Sequence, residues 1–208
     1  MRSVKWTALA AVLIVLLASG ATLAQPQAPQ PPVELIMGVK TTEPVTVLEK
    51  AFTANPSEIG TVLRPIADEV FAAVAEAGIN VLPNHATVVI LASMQEMMQG
   101  LGDEMKGTFR VPVIDDLEPG ELPGHPDIKV VRVEAQLVGY TYGKGTPESV
   151  AQERFPSLTM WLMGQGHVPT GPFYLSIFQN PGQTAPLDTV CEVQMGLKKP
   201  QQPPGPQP

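Results

Sequence analysis

IKVVRVEAQLVGYTY (residues 128–142), followed by PESVAQERFPSLTMWLMGQG (147–166), is the passage that decides the fold. The first string is rich in β-branched and alternating apolar residues and reads as two strands, 128–135 and 136–142. The second is long enough for a helix, and two more apolar strings follow it, at 171–179 and 190–197. The same order occurs upstream: strands at 33–40 and 45–51, a helix within 57–77, and strands at 86–92 and 108–114. A unit of two strands, one helix and two strands is therefore expected twice, at about 33–114 and 127–199. The fold expected is α+β, with pseudo-twofold symmetry, antiparallel sheets and one main helix per half. Neither half holds a run of catalytic-looking residues. A duplicated unit of this kind encloses a cavity between its copies more readily than it builds a catalytic cluster.

The first helix is the more regular one. Ile59, Val62, Ile66, Val70 and Val74 recur at three- and four-residue spacing and form one apolar face. Ser57 is placed to open it, with Glu58 in the first turn, and Gly78 is placed to end it. Pro65 predicts a kink or a split into two segments. The second helix carries Pro156 at a comparable place and ends toward Gly164 and Gly166. Val88, Val89, Ile90 and Leu91 are apolar in succession, as a central strand would be.

Residues 1–24 stand apart. Arg2 and Lys5 precede an apolar run at 8–17, and small residues follow at Ser19, Gly20, Ala21 and Ala24. That is the layout of a secretory signal peptide cleaved near Ala24. The run is shorter than the ~20 residues that cross a bilayer comfortably, so a membrane contact is expected only if the segment is retained. Proline- and glutamine-rich linkers at 25–32 and 200–208 bracket the folded region, and 115–126, with four carboxylates, reads as the connector between halves. The whole chain has 208 residues and a net charge of −7, and losing Arg2 and Lys5 takes it to about −9. An acidic, exported chain is a poor match for nucleic acid. Cys191 is the one cysteine, lies in an apolar strand and has no basic partner nearby, so a buried thiol is expected.

Leu158-Thr-Met-Trp161-Leu162-Met-Gly-Gln-Gly166, then Gly171-Pro172-Phe-Tyr174 and the turn Asn180-Pro181, resembles the gyrase-inhibitor-like (GyrI-like) small-molecule-binding family. That family includes the effector-binding domains of bacterial transcription regulators. Arg110-Val111-Pro112-Val113 is similar to the strand closing the family's first half, and Gly143-Lys144-Gly145-Thr146-Pro147 to its turn before the second helix. The resemblance spans 33–199. It implies two halves about a pseudo-twofold axis, with an apolar, aromatic-lined pocket between them for small, often cationic or planar, molecules. Relatives place a glutamate after the Gly-Pro pair, in Tyr-Glu-Ile-Tyr. The gapless match here is Tyr174-Leu175-Ser176-Ile177, so leucine holds the acidic position and the pocket is expected to be uncharged. A buried carboxylate could attract a cation or act as a base, and leucine can do neither.

The expected pocket wall is therefore Trp161, Tyr140, Tyr142, Tyr174, Leu175 and Ile177, binding a small hydrophobic or planar molecule without a cofactor, metal or catalytic residue. For Trp161 the alternative is a core residue under the sheet, and for the three tyrosines one solvated sheet face. A ring-opening hydrolase is the enzymatic alternative, with Glu134 or Glu192 as its acid; a haem binder of the related SOUL type is the other. His85, His125 and His167 each sit beside a turn and read as surface loop residues. Met94, Met97, Met98 and Met105 crowd 93–107; a short packed helix, a lid or a copper(I) site are the readings open to them.

Overall fold

A computed structural model describes residues 36–55, 58–99, 104–178 and 189–198. The expected leader, the two expected proline-rich linkers, Ser57 and the expected turn at Asn180-Pro181 lie outside the described residues. Nine described strands form one antiparallel sheet: β1 (Met37–Thr41), β2 (Val45–Ala54), β3 (Ala86–Ile90), β4 (Met105–Pro112), β5 (Gly120–Leu122), β6 (His125–Val133), β7 (Leu137–Lys144), β8 (Pro169–Ile177) and β9 (Val190–Leu197). Helix α1 (Ile59–Ala77) follows β2, the short α2 (Met94–Gln99) follows β3, and α3 (Pro147–Gly164) follows β7. Helix α1 sits where its apolar periodicity places it, but Glu58, expected in its first turn, stands instead at its N-cap without a side-chain cap bond. Gly78 ends α1 in the left-handed region at φ 65°, and Thr146 caps α3 by accepting from the Ser149 amide. The expected division of α1 at Pro65 does not occur, for it runs as one helix through that residue.

The order across the sheet is β1-β7-β9-β8-β3-β4-β2-β6-β5. Exchanging corresponding strands of the two halves (β1 with β6, β2 with β7, β3 with β8, β4 with β9) reverses the order of the first eight. The pseudo-twofold axis therefore passes through the β3–β8 seam. The halves are not self-contained, however: β1 pairs with β7 and β6 with β2, so each lends its first strand to the other. The acidic connector expected at 115–126 contributes β5, a short hairpin partner of β6.

Chain geometry forces this sheet to curl. Only Thr42, Glu43 and Pro44 separate β1 from β2, which limits the gap to about 14 Å. In a flat sheet the same strands, six ladder spacings apart, would lie about 29 Å from each other. The same holds for β6 and β7, joined through Glu134, Ala135 and Gln136. The two joined pairs run alongside each other in one register, bridged where the Thr42 amide donates to the Gln136 carbonyl at 2.8 Å. The Gln136 amide in turn donates to Thr42 Oγ1 at 2.9 Å. The sheet thus closes into a distorted barrel.

Its outer face carries both hydrophobic clusters. Under α1 lie Leu48, Val88, Phe109 and Val111, against Ile66, Val70, Ala73 and Val74 of the helix. Under α3 lie Phe173, Cys191, Val193 and Met195, against Val150, Leu158 and Leu162. Helix α3 approaches β7 so closely that a Cβ at Gly139 or Gly143 would stand 2.6 Å from Leu162 or Val150. Met94 and Met97 of α2 pack against this second cluster and Met105 belongs to the first, in line with a short packed helix.

Candidate functional site

The inner face is a different chemistry. Direct register partners run Glu49–Arg110–Thr87–Ser176–Glu192–Tyr142 across five strand pairings. They form a polar belt on the inside of the barrel. Arg110 Nε donates to Glu49 Oε2 at 2.6 Å, and Thr87 Oγ1 and Ser176 Oγ lie 2.9 Å apart on the pseudo-twofold seam. The parallel row is Thr108–Val89–Tyr174–Gln194–Tyr140–Gly38. Tyr174, buried, crosses the interior and donates its hydroxyl to Gln136 Oε1 at 2.6 Å, on the connection that closes the barrel. Burial pushes that hydroxyl above its ordinary pKa, against the charge of Arg110 and the Gln136 hydrogen bond.

At one end of the belt, the mouth of the barrel, Tyr140, Tyr142 and Phe178 are each half-buried. The Lys40 ammonium, on β1, is ion-paired with Glu192 on β9 and stands 4.6 Å from the centroid of the Tyr140 ring. The Glu192 side chain is 4% exposed and that of Lys40 34%, so the carboxylate is inside and the ammonium at the rim. Tyr142 also hydrogen-bonds Glu192, and its hydroxyl is raised in pKa by burial first and by that carboxylate second. The rings of Tyr140 and Tyr142 meet edge to face at 5.7 Å; Phe178 lies 6.5 Å from Tyr142, and His85 4.9 Å from Phe178. Burial holds His85 below its usual pKa, opposed by the Glu192 charge.

The six residues expected to share one wall are divided between the two faces. Tyr140, Tyr142 and Tyr174 point into the barrel. Leu175 and Ile177 point outward and pack against the cluster under α3, and Trp161, on α3 itself, packs there too. Trp161 is thus a partly buried residue packed against the outer cluster. His85 is not a surface loop histidine but half-buried at the mouth; His125 lies 3.3 Å from Glu76. The expectation of an uncharged hollow is also corrected, because Glu192 supplies a buried carboxylate on the strand beside the one that Leu175 occupies. Of the two acids considered for hydrolysis, Glu134 is exposed. Cys191 is fully buried on the outer face, where burial pushes its thiol up to about 12. No grouping of three or more metal-ligating His, Cys, Asp or Glu side chains occurs among the described residues, and no described helix is long and apolar enough to cross a membrane. A shallow depression lined by Leu91, Ala92, Ser93, Thr170, Gly171 and Pro172 lies at the opposite ends of β3 and β8 from the mouth.

No family model and no curated protein matches the sequence. Solved structures do match. The C-terminal domain of EcmrR superposes with a TM-score of 0.62 at 16% identity, covering 80% of this chain and 99% of that one. SAV2435 bound to tetraphenylphosphonium gives 0.50 at 12% identity, over 78% of this chain and 94% of that one. A hydrolase from Listeria innocua gives 0.54 at 12% identity, over 78% and 91%. The fold is accordingly that of the GyrI-like effector-binding domains.

Proposed function

We propose that this chain is an exported, non-catalytic binding protein that takes a small planar, largely apolar molecule at the tyrosine-lined mouth of its barrel. The observation that carries the reading is the half-buried aromatic rim of Tyr140, Tyr142 and Phe178, beside a belt whose acid at that end, Glu192, is already neutralised by Lys40. Flat rings stack on such a rim, and the belt's hydroxyls orient them. Export rests on the leader at residues 1–24. The tetraphenylphosphonium bound by a protein of the same fold supports the aromatic character of the guest alone, since that ion is neither planar nor uncharged. Hydrolysis is the weaker reading, because Glu192 is engaged by both Lys40 and Tyr142 and so is not poised to take a proton from water.

Thermal shift and calorimetry with neutral planar aromatics test the proposal, since a guest that binds only the folded chain raises its apparent stability. Tyr140→Ala and Tyr142→Ala should each weaken binding at least tenfold, while Trp161→Phe should leave it unchanged. Binding lost through Trp161 and kept in both tyrosine variants would place the guest outside the barrel and overturn the reading.

A further inference from the structure

Lys40 and Glu192 lie 152 residues apart in the chain, and the exchange of first strands between the halves is what brings them together. The ammonium makes the two contacts by which an aromatic site holds an organic cation: a ring face, Tyr140, and a buried carboxylate, Glu192. We infer that Lys40 is a specificity-determining residue, a tethered cation seated where a cationic head group would bind, so that the site accepts uncharged guests and rejects cations. The inference rests on the mouth being the binding site, as proposed above.

The physical basis is competition within one molecule. A free cation must displace an ammonium held at the carboxylate by its own strand, at an effective concentration on the order of millimolar or higher. A displaced Lys40 also stays close by and repels the incoming charge. An uncharged guest needs only the aromatic rim and leaves the ion pair in place. Arg110 and Glu49 form the corresponding ion pair at the other end of the belt, and among the described residues the cation–ring contact stands at the Lys40 end, which so combines the two elements of cation recognition.

Benzyltrimethylammonium and its uncharged carbon isostere neopentylbenzene separate the cases, measured on the full chain by calorimetry. Wild type should prefer the neutral isostere at least tenfold. Lys40→Met should raise the ratio of cation to neutral affinity at least tenfold, Lys40→Arg should leave wild-type selectivity, and adding Glu192→Gln to Lys40→Met should cancel the gain. A neutral guest that still binds Lys40→Met shows that this variant is folded. If wild type binds both probes equally, the inference falls whatever becomes of the variants. It falls as well if the neutral probe binds every variant while the cation never gains, and in both cases the binding proposal itself survives. If neither probe nor any other planar aromatic binds any form, the binding proposal fails and takes the inference with it.

Discussion

Along β8, Phe173, Leu175 and Ile177 pack outward beneath α3, while Tyr174 and Ser176 point into the barrel. One strand therefore serves two chemistries. Outside, contact is dense and apolar, and stability comes from area removed from water. Inside, hydroxyls, ion pairs and rings meet one another, and what they contribute depends on each polar group keeping its partner. A substitution on the outer face should act on stability and leave selectivity alone; one on the inner face should act on both.

The largest effect is expected outside. Leu158 is fully buried in the stripe of α3, and Leu158→Ala should lower unfolding free energy by about 2–5 kcal/mol. Urea unfolding measures this, and the preference among guests should be unchanged in the surviving folded fraction. A shift in selectivity would mean that the faces are coupled. Next comes the inner pair. Lys40→Met leaves Glu192 buried without its cation and should cost about 3 kcal/mol. Glu192→Gln should cost only about 1 kcal/mol, because the freed ammonium is already at the rim and can turn to water. Equal losses would show that the carboxylate is as well solvated as the ammonium.

Much of the outer face was legible in the sequence, and much of the inner one was not. The spacing of Ile59, Val62, Ile66, Val70 and Val74 locates α1 because that helix is apolar along one stripe. Helix α3 is harder to read, since its buried stripe is Val150, Arg154, Leu158 and Leu162, with an arginine inside the period. Alternation alone separates Tyr174 from Leu175 and Ile177, for successive strand residues face opposite ways. Tyr174 therefore cannot share one wall with Leu175 and Ile177. No local pattern says which face of a closed sheet is inside, and none pairs Lys40 with Glu192. Both follow from the exchange of β1 and β6 between the halves, a long-range pairing that strand propensity does not encode.

Alkaline titration probes the outer face at one atom. The Cys191 thiol is raised from 9.0 to about 12 by burial, so the folded chain holds that proton more tightly than the unfolded one. A folded-state pKa above the unfolded value contributes stability that is complete below pH 9 and is lost as pH rises from 9 toward 12. The slope should approach about 1.4 kcal/mol per pH unit, so about that much is gone by pH 10. Cys191→Ala should flatten this limb in melting experiments between pH 8 and 10.5. Tyr142 and Tyr174, both raised by burial, add a further decline above pH 10 that remains in the variant. An unchanged limb would mean that the thiol meets water in the folded chain.

The smallest effect tests the chord that ties the two walls together. Tyr174→Phe keeps the ring and deletes only the hydroxyl that reaches Gln136. Losing one buried hydrogen bond should cost about 1 kcal/mol. The loss should be local, because Gln136 belongs to the connection whose hydrogen bonds with Thr42 close the barrel. Amide exchange at Thr42 and Gln136 should therefore accelerate more than exchange along β8 and β9. Uniform acceleration would mean that the hydroxyl contributes to global stability without fastening the closure. No acceleration at all would mean that the Thr42–Gln136 hydrogen bonds hold the barrel closed unaided.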